Sequence, residues 1–72
     1  EALEFKIHSD ASVVGVALED LNLKDNVLIA CINHHGVITI PNGKSVIGVG
    51  DTVIVVTTHT GLKDIRDILK EA

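Results

Sequence analysis

The side chains best suited to chemistry gather mid-chain: Cys31, then His34 and His35, with Asp51 further along. Thiolate and imidazole are zinc ligands, and a Cys–His pair can also serve as nucleophile and base. Neither chemistry is completed here. A structural zinc takes four ligands in a tetrahedron, and His8 and His59 stand at no spacing that would supply the others. Cys31 sits within Val27-Leu28-Ile29-Ala30-Cys31-Ile32, and apolar flanks favour the inert thiol over the reactive thiolate. There is no G-x-S-x-G elbow, and Asp51, which follows Gly48-Val49-Gly50, reads as a turn residue rather than a general base. With neither a catalytic nor a metal set, the expectation is a domain that is not an enzyme.

Two further residues invite a binding role. Asn26 stands where a polar link, Asn22-Leu23-Lys24-Asp25, runs into an apolar stretch. It reads first as an Asx turn or cap that satisfies a nearby backbone group, with a ligand contact as the alternative. Pro41 ends a strand whether or not it touches anything, because it has no N–H to donate.

The elements that must position these residues are short. Leu3-Glu4-Phe5-Lys6-Ile7 alternates apolar and charged residues, as a half-exposed strand does. After the polar turn 8–12, residues 13–21 read as a short helix in which Ala17, Leu18 and Leu21 give apolar spacing. Ser12 is its expected cap. A buried strand is expected over 26–33, then a tight hairpin loop at His34-His35-Gly36 and a return strand over 37–40. Asn42-Gly43 and Gly48–Asp51 are turns around Val46-Ile47, and a second buried strand follows over 52–58. A last helix opens at Thr60-Gly61-Leu62 with Thr60 as cap. Leu62, Ile65, Ile68 and Leu69 form its inner stripe, and Asp67 has a like-charged neighbour in Glu71. The order is β-α-β-β-β-α: one α+β domain over 1–72, with a mixed, mainly antiparallel sheet and two helices.

The apolar content drives the next expectation. The two runs Val27–Ile32 and Val53–Val56 barely alternate, the pattern of strands covered on both faces, and 72 residues cannot supply cover for both. A single cysteine rules out an internal disulfide, so a second copy of the chain is the expected cover. The core rests on Val, Ile, Leu and Ala, since Phe5 is the sole aromatic residue. A net charge of −4 with no basic block or aromatic platform argues against binding a nucleic-acid polymer. No apolar run approaches the ~20 residues of a membrane span, so no membrane insertion is expected. The start at Glu1 leads us to expect a fragment of a longer protein, and Cys31 within a buried strand suggests a reduced, cytoplasmic one.

One ordered series of residues spans nearly the whole chain. Ser12-Val13-Val14-Gly15-Val16-Ala17-Leu18-Glu19-Asp20-Leu21 resembles the pattern S-x-x-x-G-x-x-L-x-x-L, with two residues rather than three between Ser12 and Gly15. Asn26–Ala30, Gly36–Pro41, Ile47, Gly50–Val55 and Gly61-Leu62 follow it. In this the sequence resembles the TrkA-C, or RCK-C, domain family, the C-terminal regulatory part of proteins controlling potassium and other cation transporters. The resemblance implies a homodimer, a membrane transporter as partner at the inner face of the cell membrane, and an N-terminal Rossmann domain that would carry any NAD or ATP. No G-x-G-x-x-G lies in this chain, so neither cofactor is expected on it. Some relatives bind cyclic di-AMP in the dimer cleft. By resemblance the corresponding ligand-binding positions are Asn26 and Val27, with Pro41 after the hairpin and Lys24 where some binders use an arginine. Lysine offers phosphate a point charge in place of a two-pronged guanidinium.

Overall fold

The computed structural model describes residues 1–9 and 11–70. Four strands, β1 (Ala2–Lys6), β2 (Val27–His34), β3 (Val37–Thr39) and β4 (Thr52–Thr57), form one sheet in the order β1-β4-β2-β3. All neighbouring strands run antiparallel. The strands fall within a residue or two of the sequence expectation. Among the described residues the sheet carries no parallel pair of strands, and the one parallel contact is an isolated bridge from Val14 to Ile47.

A phase change in β2 builds the core. Opposite β4, Ile29 pairs with Val55 and Ile32 with Val53, and the register slips by one residue between Ile29 and Cys31. Such a bulge absorbs one residue, so Ile29 and Ile32, three apart in sequence, face the same side. With Ile7, Val13, Ile47, Val53, Val55, Ile65 and Ile68 they form the buried core. On the opposite side, Leu28 lies across from Val56 and Cys31 across from Ile54. Leu28 is 62% exposed and Val56 41% exposed, so the runs that look buried on both faces in sequence are covered on one face only.

Neither expected helix forms. Over residues 13–21 the regular helix is replaced by one 3-10 turn, Leu18–Asp20, with Ala17 as its uncapped N-terminal neighbour and Ser12 playing no part. The backbone here bonds across to residues 43–47. Gly15 donates to the Ile47 carbonyl at 3.1 Å, Leu18 to Ser45 at 2.9 Å and Glu19 to Gly43 at 2.8 Å. Gly15 has φ +78, a left-handed value that interrupts a helix, and the β-branched Val13, Val14 and Val16 favour extended backbone. At the C-terminal end the helix contracts to the 3-10 turn Ile65–Ile68, capped by Asp64 rather than Thr60. Its short length follows from tertiary pairing: Lys24 donates to the Ile68 carbonyl at 2.8 Å and Lys70 to Asn22 at 2.7 Å. The expected inner stripe survives, with Ile65 and Ile68 buried and Leu62 and Leu69 packed against them. The expected Asp67–Glu71 pair extends beyond the described residues.

Candidate ligand groove and the His34–Asp51 link

The turn before β2 places Asn26 and Val27. Asn26 adopts φ +61, one of the conformations asparagine tolerates better than most residues, and Val27 opens the strand opposite Thr57. Among the described residues the Asn26 side chain makes no hydrogen bond and is exposed, so its position reflects backbone need and leaves the amide unused. Asn26, Val27, Leu28, Val56 and Thr58 line a shallow groove of about 340 Å³ at the end of the sheet. The groove borders the uncovered apolar face. Lys24 and Pro41 lie outside it within one copy of the chain. Lys24 is half-buried and tied through its backbone to the last 3-10 turn. Pro41 follows β3, which stops at Thr39, and it is half-buried on the far side of the hairpin.

The mid-chain polar residues separate. Cys31 is half-buried on the uncovered face, opposite Ile54, and His34 lies at the other end of β2 on the core side. The hairpin turns at His35 and Gly36, with φ +51 and +87. Two successive left-handed residues match the twist of the flanking strands. Asn33 Oδ1 accepts the Gly36 N–H at 2.9 Å, which helps to fix the loop.

Asp51 is a turn residue, as its glycine neighbours suggest, and more. It is 2% exposed. One carboxylate oxygen accepts the Gly48 N–H at 2.8 Å, closing the turn, and the other meets His34 Nδ1 at 2.5 Å. Burial works against ionising this carboxyl, yet the His34 bond, the Gly48 N–H and the nearby imidazoles hold it below its ordinary value. The pair ties the β2–β3 hairpin to the turn that leads into β4. Nothing in the sequence signals that contact, which spans 17 positions and depends on the register of two strands. Asp67 is likewise held low, by the N–H groups of Lys63 and Asp64 that its carboxylate accepts at 2.9 and 3.0 Å. Among the described residues no cluster of His, Cys, Asp or Glu is placed to hold a metal ion, and no buried side-chain polar atom lacks a partner.

Comparison with known proteins decides the family, because the TrkA-C domain model matches residues 2–70. The chain belongs to the TrkA-C domain family. This is a regulatory rather than a catalytic domain family. A Trk system potassium uptake protein TrkA homolog of Pyrococcus abyssi is 32% identical over 72 residues, which cover 99% of this chain and 32% of the relative. The chain thus spans about a third of the length of that curated relative. Among solved structures, the RCK_C domain dimer of S. agalactiae BusR in complex with c-di-AMP superposes with a TM-score of 0.69 at 26% identity. The match covers 93% of this chain and 82% of that one. An RCK domain solved with cda gives the same TM-score, 0.69, at 18% identity, covers 92% of this chain and 87% of that chain, and supports the fold. No helix among the described residues is long and apolar enough to cross a membrane.

Proposed function

We propose that this TrkA-C domain is a regulatory module of a potassium or other cation transport system. It pairs with a second copy through its uncovered sheet face and binds cyclic di-AMP in the cleft between the copies. The observation that carries this reading is the position of the groove. An unused Asn26 amide in a left-handed turn stands beside Leu28 and Val56, at the margin of an apolar surface with no cover of its own. The BusR RCK_C dimer with c-di-AMP, similar in fold and 26% identical, supports the ligand class, and the name of the Pyrococcus relative supports the transport system.

The uncovered face suits an isologous contact. Leu28, Val56, Ile54 and Cys31 form contiguous rows across β2 and β4, and Ile38 and Ile40 extend them beyond β3 with 68% and 87% exposure. A two-fold axis would lay this patch against itself, so each apolar contact off the axis is made twice. The ligand then has two roles to fill. The Asn26 amide and the Val27 backbone provide polar contacts, and Lys24 provides a cation near the turn that partly offsets the −4 charge of the chain. Pro41, outside the groove in one copy, acts as an apolar wall supplied from the second. Binding biases the transporter only to the extent that the ligand prefers one dimer geometry over another. The module works at the cytoplasmic side of the membrane through its transporter partner.

The uncovered face alone also favours a second reading, a constitutive assembly module with no ligand of its own. Sedimentation of the protein with and without cyclic di-AMP separates the two. A dimer that ligand stabilises supports the sensor, and a dimer indifferent to ligand supports assembly alone.

A further inference from the structure

The link that carries Lys24 and Asn26 is tied to the last segment of the chain. The Lys24 N–H donates to the Ile68 carbonyl at 2.8 Å, the Lys70 N–H to the Asn22 carbonyl at 2.7 Å, and Leu23 bridges to Leu69. At the peptide just before Asn26 the partner is a side chain. His59 Nε2 meets the Asp25 carbonyl oxygen at 2.6 Å, across 34 positions of sequence. A carbonyl can only accept, so the ring nitrogen donates. The turn that follows β4 aims the ring. Thr57, 3% exposed and opposite Val27, accepts the His59 N–H on its Oγ1 at 3.0 Å. The ion pair from Lys70 Nζ to the Asp25 carboxylate is a long 3.8 Å between exposed groups and adds little.

The Asp25 carbonyl and the Asn26 N–H belong to one planar peptide unit. Its orientation sets how the chain enters Asn26, whose φ is +61. A left-handed value is disfavoured for any residue with a β-carbon, and asparagine only lessens the cost. With Val27 held in β2, relaxation to a negative φ would rotate this peptide unit and swing the Asp25 oxygen away from the imidazole. The hydrogen bond from His59 therefore opposes the relaxation that the backbone would otherwise favour. His59 stands outside the groove, whereas Thr57 and Thr58 beside it in sequence line it.

We infer that His59 is a positioning residue of the Asn26 groove: its imidazole fixes the Asp25–Asn26 peptide and so holds the Asn26 amide and the start of β2 in place for a ligand. This role rests on the cyclic di-AMP binding proposed for the groove, and adds to it a residue the ligand need not touch. A turn only partly in the competent form lowers the apparent affinity by that fraction.

Two readouts on the same variants test the role. The first needs no ligand: the Asn26 Cα and Cβ chemical shifts of the isotopically labelled protein, which follow its population of left-handed backbone. The second is isothermal titration with cyclic di-AMP. His59→Ala removes the hydrogen bond and should shift the turn equilibrium about fivefold, moving the Asn26 carbon shifts and weakening the ligand about fivefold. His59→Gln places its amide nitrogen close to the position of Nε2 and should restore both. His59→Asn, whose nitrogen reaches only as far as Nδ1, should restore neither. Lost packing alone would not separate these two variants, and thermal melts verify that each is folded. Asn26 carbon shifts unchanged in His59→Ala, or His59→Gln and His59→Asn proteins that behave alike, would overturn the assignment. So would a turn that loosens in His59→Ala while cyclic di-AMP binds within about twofold of the parent. A parent protein that binds no cyclic di-AMP would instead defeat the ligand reading of the groove, and the carbon shifts of the three variants would still decide whether His59 sets the turn.

Discussion

Removing the Asp51 carboxylate should cause a large loss of stability for a single substitution in a protein of this size. The side chain is 2% exposed and accepts two hydrogen bonds, from the Gly48 N–H at 2.8 Å and from His34 Nδ1 at 2.5 Å. A bond to an ionised group contributes about 1.5–3 kcal/mol, and a half-buried donor left without a partner adds a penalty. The His34 contribution is discounted, because its ring is largely exposed and water replaces Asp51 there. Asp51→Ala is therefore expected to destabilise by about 3 kcal/mol, a fall in Tm of roughly 12–24 °C for a domain of this length. Asp51→Asn keeps an acceptor for Gly48 and should lose about half as much. A double-mutant cycle with His34→Ala should give a coupling near 1 kcal/mol.

The acid limb follows from the direction of the Asp51 shift. Its folded value is depressed, so the stabilisation is fully present above the unfolded aspartate value of about 3.9 and is lost as pH falls through the folded value. Asp51→Asn should flatten that limb. In thermal melts between pH 3 and 7, an Asp51→Ala protein that melted within about 2 °C of the parent at neutral pH, or additivity of Asp51→Ala with His34→Ala, would rule out a stabilising role for this carboxylate.

Other expectations follow from the same structure. Leu28→Ala removes a contact of about 1.5 kcal/mol from each copy in the proposed dimer, so sedimentation equilibrium should show dimerisation weakened about 150-fold, with unchanged association counting against this face. Asn26→Gly keeps the left-handed turn and deletes the amide, so cyclic di-AMP binding should weaken while Tm stays within a few degrees. Asn26→Ala should lose stability as well, by about 1 kcal/mol. Gly36→Ala meets no atom within 4 Å but is strained at φ +87, which should cost about 1 kcal/mol in a denaturant titration. Asp67→Asn should lower acid-sensitive stability in the same sense as Asp51, because its carboxylate also sits below the ordinary value.

The strands were legible because each combines an apolar run with a turn signal at its end. Pro41 and the His35-Gly36 turn, for example, bracket β3 closely. The helix expected over 13–21 is absent because apolar spacing there is ambiguous between a helix and an irregular segment that pairs sideways. Val13 is buried in the core and Val14 bridges to Ile47, but only the tertiary hydrogen bonds of Gly15 and Leu18 distinguish the two. The bulge in β2 was equally hidden, since a slip that puts Ile29 and Ile32 on one face leaves no mark on composition. Asn26 stood out as polar residue before an apolar strand, and its left-handed backbone explains that choice without using its amide.

Isothermal titration of the protein with cyclic di-AMP, at moderate salt and with dimerisation monitored in parallel, asks whether the groove beside Asn26 binds this ligand. Saturable binding near one ligand per dimer is expected, in the micromolar range and weakened by Asn26→Gly. Flat heats from a protein that is fully dimeric would contradict the sensor reading and leave a TrkA-C domain that assembles without a ligand of its own.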